Sequence, residues 1–283
     1  MLQDKNFQIK GAEGRKILLD VYFKSDHHPK PIVIFAHGYK GYKDWGAWDL
    51  VAEKFAEAGF FFIKFNFSHN GGTLEEPIDF PDLEAFANDN YSKQLFDINC
   101  VIDWILTTKR FISEADVNDL SLIGHSRGGG IVALEAARDD KVKQFVTWAG
   151  VSDFESRFPK GEKLEKWRKE GVYHVENGRT KQQMPHNYQF FEDFKANENK
   201  LNIKRAVQKT RKPYLIVHAK NDPSVDVEEA EKLHKWAKRS ELFLLEDSNH
   251  VFGTKHPWEK ADLSEDLASV SQKTIEFLKS NQR

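Results

Sequence analysis

Three residues of the chain have the types and surroundings that nucleophilic acyl chemistry needs: Ser126, Asp222 and His250. Ser126 stands in Gly124-His125-Ser126-Arg127-Gly128, a G-x-S-x-G match. The motif directly follows an apolar strand pattern and directly precedes a helical one, the placement that a nucleophile elbow requires. A serine on so sharp a turn needs neighbours without bulk two positions away, and Gly124 and Gly128 meet that need. A Gly-rich phosphate loop is the competing explanation, but G-x-G-x-x-G and the Walker lysine are both missing. An alcohol is a weak nucleophile near neutral pH, so Ser126 requires a base, and the base requires an orienting acid.

Behind such an elbow the chain order is Ser, then Asp or Glu, then His. Of the 11 histidines, His250 lies in SNHVFG, between the last strand pattern and the final helix. His256, beside Pro257 in a polar stretch, is its nearest competitor. Asp222 follows the strand PYLIVHA in the loop AKNDPSV. Loops beyond the carboxyl ends of parallel strands are where such sheets place their sites. Asp226 falls at the expected start of the next helix, where a carboxylate caps free N–H groups. Asp247 precedes His250 closely and shares its loop, which suits it poorly to reach the imidazole across a site. Acyl transfer also needs donors for the developing oxyanion. The backbone N–H of Arg127 is one candidate; the other is that of Tyr39, after His37-Gly38 at the end of PIVIFA. The side chains of His125 and Arg127 are expected to serve as structural or rim groups.

The elements that must position these residues alternate between strand and helix, the pattern of a largely parallel sheet covered on both faces. Strands are expected at 7–10 and 16–23, joined by a tight Gly turn and therefore antiparallel. Further strands are expected at 31–36, 60–67, 120–124, 143–148, 213–219 and 241–245. Helical spacing runs through 44–58, 91–108 and the segments after Ser126, after Asp226 and around Leu263–Leu278. Residues 68–90 read as a long polar loop. Between 150 and 212 the alternation breaks into a polar stretch studded with aromatics, including Phe154, Phe158, Trp167 and Phe190. Asn177-Gly178 inside it predicts a type I′ hairpin turn. An insertion of this length with its own elements is expected to be a cap, 150–212, on a core formed by 1–149 and 213–283. Its rings either shape the acyl or alcohol pocket or pack the cap onto the core.

Composition narrows the partners. Lys+Arg 42 against Asp+Glu 44 gives a net charge of −2, which offers no global field for nucleic acid or anionic membrane. The lone Cys100 forms no internal disulfide framework and fits a reducing compartment. The first twenty residues lack a continuous apolar run, and no apolar stretch approaches the ~18 residues of a membrane span. A cytoplasmic protein is expected. No Cys/His cluster has metal-ligand spacing, so neither metal nor organic cofactor is expected.

Taken together, HGYKGYKDW, GHSRGGG, KNDPSV and SNHVFG resemble the α/β-hydrolase superfamily in order, spacing and placement. Within it the chain looks most like the dienelactone-hydrolase-like group and bacterial cinnamoyl or feruloyl esterases. The resemblance implies an α/β-hydrolase fold, with a mostly parallel eight-stranded sheet flanked by helices and an inserted cap containing a β-hairpin. It further implies cleavage of short-chain or aromatic acyl esters through an acyl-enzyme, with a small-molecule ester as substrate. Dienelactone hydrolase itself uses a cysteine; Ser126 favours ordinary ester hydrolysis. The same machinery serves acyl thioesters and small prolyl-oligopeptidase-like peptidases. A catalytically silent binding module is the non-enzyme alternative, and the presence of all three candidate residues argues against it. The oligomeric state is not legible.

Overall fold

The computed structural model describes residues 1–282. One eight-stranded sheet organises the molecule. Strands β1 (Leu2–Lys10) and β2 (Lys16–Phe23) pair antiparallel, as their short Gly11–Arg15 connection dictates. The parallel strands are β3 (Lys30–Ala36), β4 (Phe61–Phe65), β5 (Ala115–His125), β6 (Val142–Trp148), β9 (Tyr214–Ala219) and β10 (Ser240–Leu245). Their spatial order is β1-β2-β4-β3-β5-β6-β9-β10, with β2 antiparallel to β4. Strands β7 (Val172–Glu176) and β8 (Gln183–Asn187) form a separate antiparallel hairpin.

The apolar runs follow from burial on both faces. In β3, Ile32 and Ile34 enter one core cluster while Val33 and Phe35 enter the other. The first face is covered by α3 (Tyr91–Thr107), α4 (Arg127–Arg138), α7 (Ile203–Lys209) and α8 (Val227–Trp236). The second is covered by α1 (Trp48–Glu57) and α9 (Glu265–Ser280). Helix α3 forms where the sequence placed its 3.6-residue stripe: Leu95, Ile98, Ile102 and Ile105 are buried, each contributing about 1.5–3 kcal/mol. Its start is fixed by Asn90, whose side chain accepts from Lys93 N at 2.8 Å. No helix among the described residues is long and apolar enough to cross a membrane.

Two expectations need correction. Residues 68–90 are more than a polar loop: they contain α2 (Leu83–Ala87) and bury Ser68, His69, Phe80 and Phe86. Polar residues hid this packing, because Ser68 N and Oγ both donate to the buried Asp97 Oδ2 at 2.8 Å. The hairpin exists, but Asn177-Gly178 is not a two-residue type I′ turn. Residues 177–182 close it, with Lys181 N donating to Asn177 O and Lys181, not Gly178, at positive φ. Asn177 Oδ1 accepts from Arg179 N at 3.1 Å and stabilises this wider loop locally.

Packing separates the two roles left open for the aromatics between 150 and 212, where α5 (Glu162–Glu170) and α6 (Gln189–Ala196) lie. Phe154, Phe158, Trp167, Phe190 and Phe194 join the main core cluster, and Phe154 stacks on Tyr91 at 3.8 Å. These rings fasten the segment to the core, and none of them lines the cavity above Ser126. Aromatic density in the sequence could not separate the two roles.

Candidate active site

Ser126 sits between the end of β5 and the start of α4 with φ 55 and ψ −119, a strained conformation for a residue with a side chain. The elbow is held by Ser126 N donating to Trp148 O at 2.9 Å and Gly129 N donating to Ser126 O at 2.9 Å. Its glycines are obligatory. A Cβ on Gly124 would stand 2.3 Å from Gly128 O, and one on Gly128 would stand 2.4 Å from Ala36 O.

Asp222 and His250 come from loops after β9 and β10, and they meet. His250 Nδ1 lies 2.7 Å from Asp222 Oδ2. The other carboxylate oxygen accepts from Ser224 N at 2.8 Å and Val225 N at 3.0 Å. Burial pushes the Asp222 carboxyl up, but the hydrogen bonds from His250 and the two backbone N–H groups hold it below its ordinary range. Asp222 is therefore an anion that fixes the imidazole with its proton on Nδ1, leaving Nε2 as the acceptor. His250 is positioned from behind as well, because His125 Nε2 lies 2.8 Å from His250 O. That carbonyl can only accept, so His125 carries its proton on Nε2. Burial, with His250 nearby, pushes His125 down to about 3 and keeps it neutral.

The competitors have other work. Asp226 Oδ1 accepts from Glu228 N at 2.9 Å and caps α8. Asp247 Oδ1 lies 3.4 Å from Asn221 Nδ2. His256 Nδ1 accepts from Gly46 N at 2.9 Å.

Ser126 and His250 open into one cavity of about 540 Å³, whose walls include Tyr39, Trp45, Trp48 and the hairpin loop residues Asn177–Arg179. A larger depression, about 800 Å³, lies among Asp116, Lys143, Lys212 and Arg239 at the opposite ends of the strands and contains none of the three residues. In the smaller cavity Gly38 lies against Ser126; a Cβ there would be 2.8 Å from Ser126 Cβ. Gly41 N donates to Gly38 O at 3.1 Å, closing a turn in which Lys40 has φ 53 and Tyr39 occupies the second position. The N–H at that position is not used by the turn. Arg127 is the first residue of α4, and the first N–H groups of a helix have no acceptor within it.

The loop bearing Tyr39 is anchored by a buried charge network that the sequence reading missed. Lys43 Nζ donates to Asp20 Oδ2 at 2.8 Å and Asp44 Oδ2 at 2.6 Å, while Lys64 Nζ reaches Asp20 Oδ2 at 2.8 Å and Asp49 Oδ1 at 2.6 Å. Lys43 N also donates to Asn66 Oδ1 at 2.6 Å. The signal was present: Lys64 interrupts the apolar FFIKF, and a lysine inside a doubly buried strand must be paired. Asp20, Asp44 and Asp49 place carboxylate oxygens within 4.8 Å of one another, and the two ammonium groups supply the counter-charge there.

The BD-FAE family profile matches residues 19–237. The chain belongs to the BD-FAE family. It is accordingly an α/β-hydrolase of the serine-hydrolase type, an enzyme of ester bonds. Among solved structures, this BD-FAE chain is similar to ferulic-acid-bound Est1E from Butyrivibrio proteoclasticus, at 20% identity and TM-score 0.72, covering 97% of this chain and 98% of that one. It is also similar to a putative dienelactone hydrolase from Klebsiella pneumoniae, at 17% identity and TM-score 0.62, covering 98% of each chain. The esterase domain of a Rhodothermus marinus protein matches at 17% identity and TM-score 0.65, covering 99% of each chain. At these identities the likeness concerns the fold. No curated protein matches.

Proposed function

We propose that this enzyme hydrolyses short-chain or aromatic acyl esters with Ser126 as nucleophile, His250 as general base and Asp222 as orienting acid. The observation that carries the assignment is the 2.7 Å contact between His250 Nδ1 and Asp222 Oδ2, with His250 and Ser126 lining the same cavity. Ser126 Oγ attacks the ester carbonyl carbon as its proton passes to His250 Nε2. The carbonyl oxygen becomes an oxyanion and accepts from the backbone N–H groups of Tyr39 and Arg127. Collapse expels the alcohol, which takes the proton from His250, and leaves the acyl group on Ser126. Water, activated by the same imidazole, then releases the acid.

Substrate size is inferred from the cavity of about 540 Å³ and the rings of Tyr39, Trp45 and Trp48 on its walls. The ferulic acid bound to Est1E supports an aromatic acyl group here. Residues 150–212 act as a cap whose hairpin loop contributes to the rim. The lone, free Cys100 supports a cytoplasmic location.

A fluorophosphonate probe is expected to label the protein once, and Ser126→Ala to fold normally, resist labelling and lose hydrolysis of 4-nitrophenyl butyrate. Labelling or turnover that survives the substitution would refute the nucleophile.

A further inference from the structure

The side chain of Arg127 has no part in the reaction just described, yet it is nearly buried beside the nucleophile. Its guanidinium lies 4.2 Å from the centre of the Tyr39 ring and 5.4 Å from those of both Tyr91 and Phe190. Its Nη1 lies 3.6 Å from Oδ2 of Asp89, at only 14% side-chain exposure, and burial pushes that carboxyl up to about 7 against the pull of the guanidinium. Tyr39 is held from its far end too: its hydroxyl lies 2.7 Å from Nε2 of the buried His186 on β8. The two residues whose backbone N–H groups face the oxyanion are thus in side-chain contact with each other.

We propose that the Arg127 guanidinium is a positioning residue, a clamp that fixes the Tyr39 N–H relative to the Arg127 N–H and so sets the spacing of the oxyanion hole. The inference rests on the reading of Ser126 as nucleophile and of these two groups as donors. The physical need is plain. The Tyr39 donor sits on a turn with Lys40 in the left-handed region and glycines at 38 and 41, a backbone with little stiffness of its own. An oxyanion hole works only if its donors stand 2.7–3.1 Å from where the charge develops, without reorganisation. A planar, delocalised cation stacked on an aromatic face, shielded from water, supplies a directional contact that a lysine ammonium does not. Charge compensation of Asp89 alone is the alternative role, and it makes a different prediction for lysine.

The test uses Arg127→Lys and Arg127→Met in the full-length enzyme, both retaining the backbone N–H. Steady-state kinetics with 4-nitrophenyl butyrate are paired with inhibition by a trifluoromethyl ketone, whose serine adduct carries the oxyanion. Arg127→Met is expected to lower kcat about a hundredfold, with KM within threefold and a matching loss of ketone affinity. Arg127→Lys keeps the charge opposite Asp89 and lacks the stacking plane, so kcat falls about tenfold with the melting temperature near that of the wild type. Tyr39→Leu combined with Arg127→Met is expected to be no worse than the poorer single variant, since the pair acts as one unit. Full activity in Arg127→Lys, or additive losses in the double variant, overturns the clamp. If Arg127→Met does not fold, the lysine variant decides alone. Hydrolysis that survives Ser126→Ala overturns the clamp together with the nucleophile.

Discussion

Replacing Asp222 with Asn removes one charge and almost no volume, so its effect can be worked from the hydrogen bonds. The carboxylate accepts three: from His250 Nδ1 at 2.7 Å, Ser224 N at 2.8 Å and Val225 N at 3.0 Å. An amide has one acceptor oxygen and must choose. With its oxygen on the two backbone N–H groups, its NH₂ faces His250 Nδ1 and drives the imidazole proton to Nε2. That tautomer cannot take the proton of Ser126. With its oxygen toward His250, the NH₂ confronts two backbone donors and leaves both unsatisfied, at about 1–3 kcal/mol each. The productive arrangement is therefore disfavoured by about 2–6 kcal/mol, a population centred near ~10⁻³ at 1.4 kcal/mol per decade. The kcat of Asp222→Asn is expected to fall by ~10³–10⁴, in line with the ~10⁴ of the corresponding change in a serine protease. The assay is kcat for 4-nitrophenyl butyrate at pH 8, with circular dichroism and a thermal melt to establish folding. A folded variant within tenfold of wild type would refute the tautomer argument and the assignment of the acid.

The remaining expectations are structural. Asp226→Ala should lower stability by about 1 kcal/mol through loss of the α8 cap and leave kcat nearly unchanged, as read by urea unfolding and steady-state rates. Gly124→Ala should fail to fold or lose more than ~3 kcal/mol, because its Cβ would stand 2.3 Å from Gly128 O; a stable, active variant would show that the elbow can relax. Stability should also fall on acidification. Burial holds His37 at about 4 and His125 at about 3, below the unfolded value near 6.5, so the unfolded chain binds the extra protons. Their contribution is complete above pH 6.5 and is lost as pH falls toward 4, by roughly 3 kcal/mol each. Burial also raises the Asp89 and Asp97 carboxyls, to about 7 and about 6, which stabilises on acidification. Urea titrations at pH 7, 6 and 5 are therefore compared between wild type and His37→Gln; an unchanged slope in the variant would mean that this imidazole is not buried neutral.

The strand ends and the sharp turn at Ser126 were legible because each obeys a local rule. Apolar runs such as PIVIFA must be buried on both faces, and a serine in G-x-S-x-G must be relieved by its glycines. The contact of Asp222 with His250 was legible only through chain order. What escaped depended on three-dimensional pairing. Lys43 and Lys64 share Asp20 across 23 and 44 residues of sequence, and no local pattern announces such a partner. Ser68 and His69 looked solvated because hydroxyl and imidazole groups carry no mark of burial. The rings of Phe154 and Phe158 were visible, but whether a ring meets substrate or another ring is settled by packing alone.

The anchor under the Tyr39 loop has a thermal consequence. Lys43, Lys64 and Asp20 have side-chain exposures of 1%, 0% and 0%, so dissolved salt screens them little. The hydration that charged groups surrender on burial becomes less favourable as temperature rises, so such a network gains on heating relative to hydrophobic contacts, whose stabilisation only plateaus. The loop that carries Tyr39 is thus fastened by the interactions least weakened by heat. Its geometry should persist up to the melting transition, and catalysis should disappear with the fold, not before it.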